Sequence, residues 1–102
     1  MYRLVVSELA HMDLDTIVSY IAVQLANPMA ASDFLDDVEK CYSYLKNNPL
    51  IYERCHDMRL EKEGYRRATI KNYVLVYKVD EAAKLVIIHR FFYGAQDYVK
   101  LI

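Results

Sequence analysis

Apolar residues in this chain recur at helical spacing through its first half and at a period of two from residue 65 onward. That change of period restricts the fold to helices and a sheet arranged in separate blocks. Residues 2–6 read as a short strand. Ser7 then stands where a helix cap belongs, with Glu8 in the first turn. Ala10, Leu14, Ile17, Val18, Ile21 and Leu25 form one apolar stripe, and Ala31, Phe34, Leu35, Val38, Tyr42 and Leu45 form a second. Between them, Asn27-Pro28 stops one helix and starts the next, Asn27 as cap and Pro28 in first position. So short a joint predicts an antiparallel helix hairpin. Lys46-Asn47-Asn48-Pro49 ends it, and residues 49–55 read as a loop. Three strands follow, over 65–71, 73–79 and 84–92, the last two joined by a turn at 80–83 that lacks Gly or Asn. In the first strand Arg67, Thr69 and Lys71 share a polar face, opposite Ala68 and Ile70. The other two are apolar on both faces, as central strands are. The sheet needs a cover and the hairpin supplies it. The expected class is α+β: an N-terminal short strand, then an antiparallel helix hairpin packed on one face of a small, mostly antiparallel β-sheet.

One hundred and two residues make a single domain, 1–102, able to bury roughly two-thirds of its unfolded surface. A hydrophobic content of 55% with two Gly and two Pro argues against disorder. No apolar run reaches the ~18 residues of a membrane span, and the N-terminus lacks the layout of a signal peptide. Cys41 and Cys55 lack metal or redox spacing and read as two reduced thiols of a cytoplasmic protein. No metal or cofactor is expected. Net charge is −1, unevenly spread. Residues 1–53 carry three Lys/Arg against eight Asp/Glu, and residues 54–78 carry seven against three. That second stretch is a basic strip suited to an acidic partner or a phosphate, although a dedicated nucleic-acid binder is usually more basic overall.

The most specific stretch is C-terminal. Gly64-Tyr65-Arg66-Arg67 precedes Tyr73-Val74-Leu75-Val76-Tyr77, and Leu85-Val86-Ile87-Ile88 runs into His89-Arg90-Phe91-Phe92-Tyr93-Gly94-Ala95-Gln96-Asp97-Tyr98. This order resembles the RelE/ParE superfamily of type II toxin–antitoxin toxins. Those proteins carry a G-Y-R start, a Y-x-(I/L)-x-Y-x-V strand and then (I/V)-x-R-x-x-(H/Y)-G-x-x-D. The first half, with Ser7, Asp13-Leu14, Tyr20-Ile21 and Asn27-Pro28, is similar to the ParE-type helix hairpin. The resemblance implies growth arrest, relieved by a cognate antitoxin that is small, acidic and partly disordered when free. It implies no membrane partner.

Two activities divide the superfamily, ParE-like poisoning of DNA gyrase and RelE-like cutting of ribosome-bound messenger RNA, and fold alone does not choose between them. RNA cleavage needs a base, an acid and cations for the phosphate. The places where RelE-like ribonucleases hold basic residues fall here on Tyr65, Arg67, Val74 and near Gly94, so most of that charge set is missing. The preferred expectation is therefore the gyrase poison. Arg59, Arg66, Arg67, Arg90 and Tyr93 are its candidate target contacts. The enzyme rival would draw on Arg66, Arg67, His56 and His89, with Tyr93 assisting. A third possibility is an inert relative that only binds antitoxin. His11, on the polar side of the first helix, reads as solvent-exposed. His89 falls on a strand face with Leu85, Ile87 and Phe91. Arg90 falls opposite, amid Val86, Ile88 and Phe92, where it needs a partner such as Asp97. Gly94 is expected to permit a bend closed to other residues, Tyr93 stands where ParE-like members often have histidine, and Asp97 is expected to cap or pin the tail.

Overall fold

The structure is a computed structural model that describes residues 1–94 and 96–102. Strand β1 (Arg3–Val6) leads into α1 (Glu8–Ser19), which continues through a π-helical turn (Tyr20–Gln24). Helix α2 (Pro28–Asn47) returns, a short α3 (Met58–Lys62) follows, and then come β2 (Arg66–Ile70), β3 (Tyr73–Asp80) and β4 (Leu85–Tyr93). A 3-10 turn (Tyr98–Leu101) follows them. The strands form one mixed sheet in the order β1-β4-β3-β2. β1 runs parallel to β4, and the other two pairings are antiparallel.

The helix starts have the chemistry their sequence offers. Ser7 Oγ accepts the Ala10 N–H at 3.0 Å, and Asn27 Oδ1 accepts that of Ala30 at 3.1 Å, with Pro28 at the first helical position. Ala10, Ile17, Ile21, Phe34, Val38 and Leu45 are buried against Ala68, Leu75, Tyr77, Val86, Ile88 and Phe91 on the front of the sheet. Tyr77 is fully buried there and donates its hydroxyl to the Pro49 carbonyl at 2.7 Å. Leu25 and Leu35, expected in the stripes, are exposed. The chain leaves helical geometry near Leu25, because Ala26 takes a φ of 49°.

The back of the sheet has a core of its own. Cys55, Leu60 of α3 and Tyr65 pack on Val74, Val76 and Phe92, with Tyr98, Val99 and Ile102 closing over them. Helix α3 lies beyond the loop expected at 49–55, in a stretch for which no element was expected. Five residues are too few to express a helical period, although Asp57 caps it through the Leu60 N–H at 3.0 Å. The β3–β4 turn manages without glycine. Asp80 Oδ1 accepts the Ala83 N–H at 3.0 Å, and Lys84 takes the left-handed φ of 53°. Both cysteines are free and buried, and burial pushes both thiols up from their ordinary values. Among the described residues no helix is long and apolar enough to cross a membrane.

Candidate target-facing surface

A β-bulge organises the candidate residues. Val76 pairs with Arg90 and Tyr77 with Ile88, so His89 has no opposite number on β3. A bulged pair of residues points to one side of the sheet, and the alternation is inverted beyond it. Leu85, Ile87 and His89 accordingly lie on the back face. Arg90 lies there too, and Phe91 turns to the front core. This corrects two expectations: Phe91 does not share the His89 face, and Arg90 is not set among Val86 and Ile88. Ser7 holds the bulge in place, because its N–H bonds the Ile88 carbonyl at 3.0 Å and its Oγ donates to that of His89 at 2.7 Å.

Arg90 pairs with Asp13 of α1, not with Asp97. Its Nε and Nη2 donate to the two carboxylate oxygens at 2.7 and 3.0 Å, and the Phe91 N–H joins them at 3.0 Å. The geometry has a simple cause. β1 pairs with β4 only as far as Ile88, so the edge of β4 beyond it is open and α1 lays a carboxylate against it. The carboxylate raises the Arg90 pKa further above its ordinary value. The guanidinium also lies 5.0 Å from the Phe92 ring centroid. Two donor positions of Arg90 are thus committed inside the molecule. Asp13 was legible in retrospect, since it sits between Ala10, Leu14 and Ile17 on the buried stripe of the first helix.

The other candidates fall into separate places. His89 stacks on Tyr65 with ring centroids 5.1 Å apart. Burial, and then the Arg90 and Lys78 charges, lower its pKa, with Asp13 opposing. Arg59 donates to the main-chain oxygens of Val99 and Ile102 at 2.9 and 3.0 Å, and Arg67 to the Tyr98 hydroxyl at 3.3 Å. The 3-10 turn therefore lies across both arginines. Arg66 points to the front and donates to the Tyr52 carbonyl at 2.7 Å. His56 is exposed, 3.2 Å from Glu53. His11 is exposed on α1.

Tyr93 stands on the front at the far end of the sheet, half exposed and edge-on to Tyr73 at 5.7 Å. Together with Asp13, Thr16, Tyr20 and Gln96 these two tyrosines line a cleft of about 410 Å³. Burial raises the Tyr73 phenol, and Tyr20 and Tyr93 beside it add to the shift. Gly94 is needed for a different reason than expected. Its φ is not in the left-handed region, but a Cβ there would stand 3.0 Å from the Asn72 carbonyl oxygen. The Gly94 N–H bonds that same oxygen at 2.7 Å, extending the β3–β4 ladder by one rung. Asp97 precedes the 3-10 turn without capping it, and makes a surface pair with Lys100 at 3.6 Å. Ala95 of the same motif lies outside the described residues.

His56, Arg66, Arg67, His89 and Tyr93 do not converge. No two of these side chains hydrogen-bond to one another, and they occupy both faces and both ends of the sheet. Among the described residues no group of three or more His, Cys, Asp or Glu could hold a metal ion.

A family model described as the ParE toxin of the type II toxin–antitoxin system parDE matches residues 4–98. No curated protein sequence matches the chain. Among solved structures, a chain from the chromosomal ParDE toxin–antitoxin system of P. aeruginosa superposes with a TM-score of 0.72 at 22% identity, over 91% of this chain and 96% of that one. A chain of the RelBE2 toxin–antitoxin complex of Mycobacterium tuberculosis superposes with a TM-score of 0.63 at 20% identity, over 90% and 96%. At these identities the likeness is one of fold.

Proposed function

The chain belongs to the ParE toxin family of type II toxin–antitoxin systems, and from that premise we propose that it arrests growth by docking on DNA gyrase and holding the enzyme in its cleaved-DNA state. The observation that carries this reading is the dispersal of the residues a ribonuclease would need. Strand-cleaving catalysis requires a base, an acid and cations within hydrogen-bond reach of one phosphate. Here the histidines and arginines are separated by the sheet itself or tied to main-chain carbonyls and, for Arg67, to the Tyr98 hydroxyl. A binder has no such requirement. It needs exposed anchors on a rigid frame, and Tyr93, Tyr20 and Arg59, each about half exposed, offer them.

The partner that restrains the toxin is, in the same proposal, an acidic antitoxin with a foldable segment. Exposed apolar side chains on the hairpin favour such a cover: Leu9, Met12, Tyr20, Val23, Leu25 and Met29 are all 48% exposed or more. The edge of β2 beyond residue 67 is a second place for it, since residues 53–55 pair only with 65–67. Gyrase as target places the action in the cytoplasm.

The test is a pulse of expression without antitoxin in cells carrying a DNA-damage reporter, beside a gyrase cleavage assay on supercoiled plasmid. Growth arrest with reporter induction and linearised plasmid is the expected result. Arrest with a silent reporter and cut messenger RNA overturns the gyrase reading, and no arrest marks an inert antitoxin binder.

A further inference from the structure

A cleft of about 630 Å³ opens at the end of the sheet away from Tyr93, and three cations line it: Arg54, Arg66 and Lys78. Arg54 and Arg66 are direct partners across an antiparallel bridge. Side chains so paired start about 5 Å apart, and like charges in that position repel. Neither arginine is ion-paired with a carboxylate among the described residues. Arg66 spends one donor on the Tyr52 carbonyl, and Arg54 makes no side-chain hydrogen bond among the described residues. Lys78 lies 4.3 Å from the Tyr65 ring centroid, and an aromatic face leaves its charge unneutralised.

A fold that sets two arginines opposite each other, neither ion-paired among the described residues, gains stability when an anion enters between them. Guanidinium forks match the tetrahedral oxygens of phosphate in bidentate fashion. The same cleft has apolar walls from Leu50, Val79 and Ile87, and its volume suits a small ligand. Two carboxylates also line it, Asp80 at the end of β3 and Glu81 in the turn after it; neither is ion-paired with the arginines among the described residues, and Asp80 accepts the Ala83 N–H. We propose that this cleft is a phosphate-binding site for a nucleoside phosphate, presented either by a free nucleotide or by a nucleic-acid strand. Arg54 and Arg66 would grip the phosphate oxygens, Lys78 would add charge, and the apolar wall would receive the base. The proposal is independent of the gyrase reading, because it concerns binding alone.

The experiment is an amide NMR titration of the toxin with inorganic pyrophosphate, ATP, a short single-stranded oligonucleotide and an oligoglutamate peptide, repeated on Arg54→Gln and Lys78→Gln. Both side chains are outside the cores, and unchanged melting temperatures verify that the variants fold. Saturable shifts at residues 54, 66 and 78 with a phosphate probe are expected, with affinity falling at least roughly tenfold in each variant. Tighter binding of ATP than of both pyrophosphate and the oligonucleotide identifies a free nucleotide as the source, and ATP binding no tighter than pyrophosphate overturns the seat for the base. Tighter oligonucleotide binding with a steep salt dependence identifies a strand. Absence of shifts at millimolar phosphate, shifts that survive both substitutions, or tighter binding of oligoglutamate overturns the proposal.

Discussion

Asp13→Ala tests the join between the helix hairpin and the sheet. The substitution removes three hydrogen bonds together: those of Arg90 Nε and Nη2, and that of the Phe91 N–H. The Arg90 and Asp13 side chains are 22% and 17% exposed, which sets their pair between two regimes. A solvated ion pair contributes about 0–1 kcal/mol, and breaking a fully buried one costs about 3–5 kcal/mol. Three hydrogen bonds to a charged acceptor, lost as a unit, put the cost at about 3 kcal/mol. A 102-residue domain has about 5–15 kcal/mol in all, so this one carboxylate holds a large share. The melting temperature should fall by roughly 12–20 °C. Asp13→Asn keeps acceptor oxygen but loses charge, and should cost about half as much. Urea unfolding followed by circular dichroism measures both. A double-mutant cycle with Arg90→Ala should give a coupling of about 1–3 kcal/mol. A loss below about 0.5 kcal/mol, or two additive single substitutions, would refute the reasoning.

Three further outcomes are expected. His89 has a folded pKa depressed below its ordinary value of about 6.5, so its contribution is fully present above that pH and is lost as pH falls through the folded pKa. Thermal melts from pH 7.5 to pH 5 should show a decline that His89→Gln flattens, and a parent decline identical to the variant's would contradict the assignment. Tyr77→Phe deletes the buried bond to Pro49 and should cost about 1–1.5 kcal/mol by chemical unfolding, whereas Tyr42→Phe should cost nothing. The Tyr42 hydroxyl is buried with no hydrogen-bond partner among the described residues, and burial pushes its pKa up to about 12. Gly94→Ala presses a methyl group toward the Asn72 carbonyl and should cost about 1–2 kcal/mol, read as a lower urea midpoint and faster exchange of the amide at position 94. An unchanged midpoint would mean that the neighbouring turn yields freely.

Elements that rest on local chemistry were legible in the sequence. Ser7, Asn27 and Pro28 announce the helix starts, and the change of period announces the sheet. What was hidden is non-local or too short. The π-helical turn at Tyr20–Gln24 keeps nearly the same apolar spacing as an α-helix. The bulge at His89 is set by how β3 and β4 pair, and alternation alone cannot reveal where a rung is skipped. The same bulge explains why Arg90 was set on the right strand with the wrong neighbours. Its partner Asp13 is 77 residues away and was less obvious than Asp97 close by. The Arg54–Arg66 juxtaposition likewise comes from a bridge between a loop and a strand, which no periodicity encodes.

The parallel pairing of β1 with β4 fixes the order in which the molecule can be finished. Arg3 finds its neighbour only at Leu85, 82 positions on, and Ser7 reaches across to His89. Contacts of such separation must be preceded by a costly loop closure and lengthen folding. On the ribosome, the first strand and the hairpin's apolar stripe therefore wait, without their sheet partner, until β4 has been made. The bulge and the Asp13–Arg90 join both need β4, so the hairpin and the sheet are fastened together only after nearly the whole chain has been made.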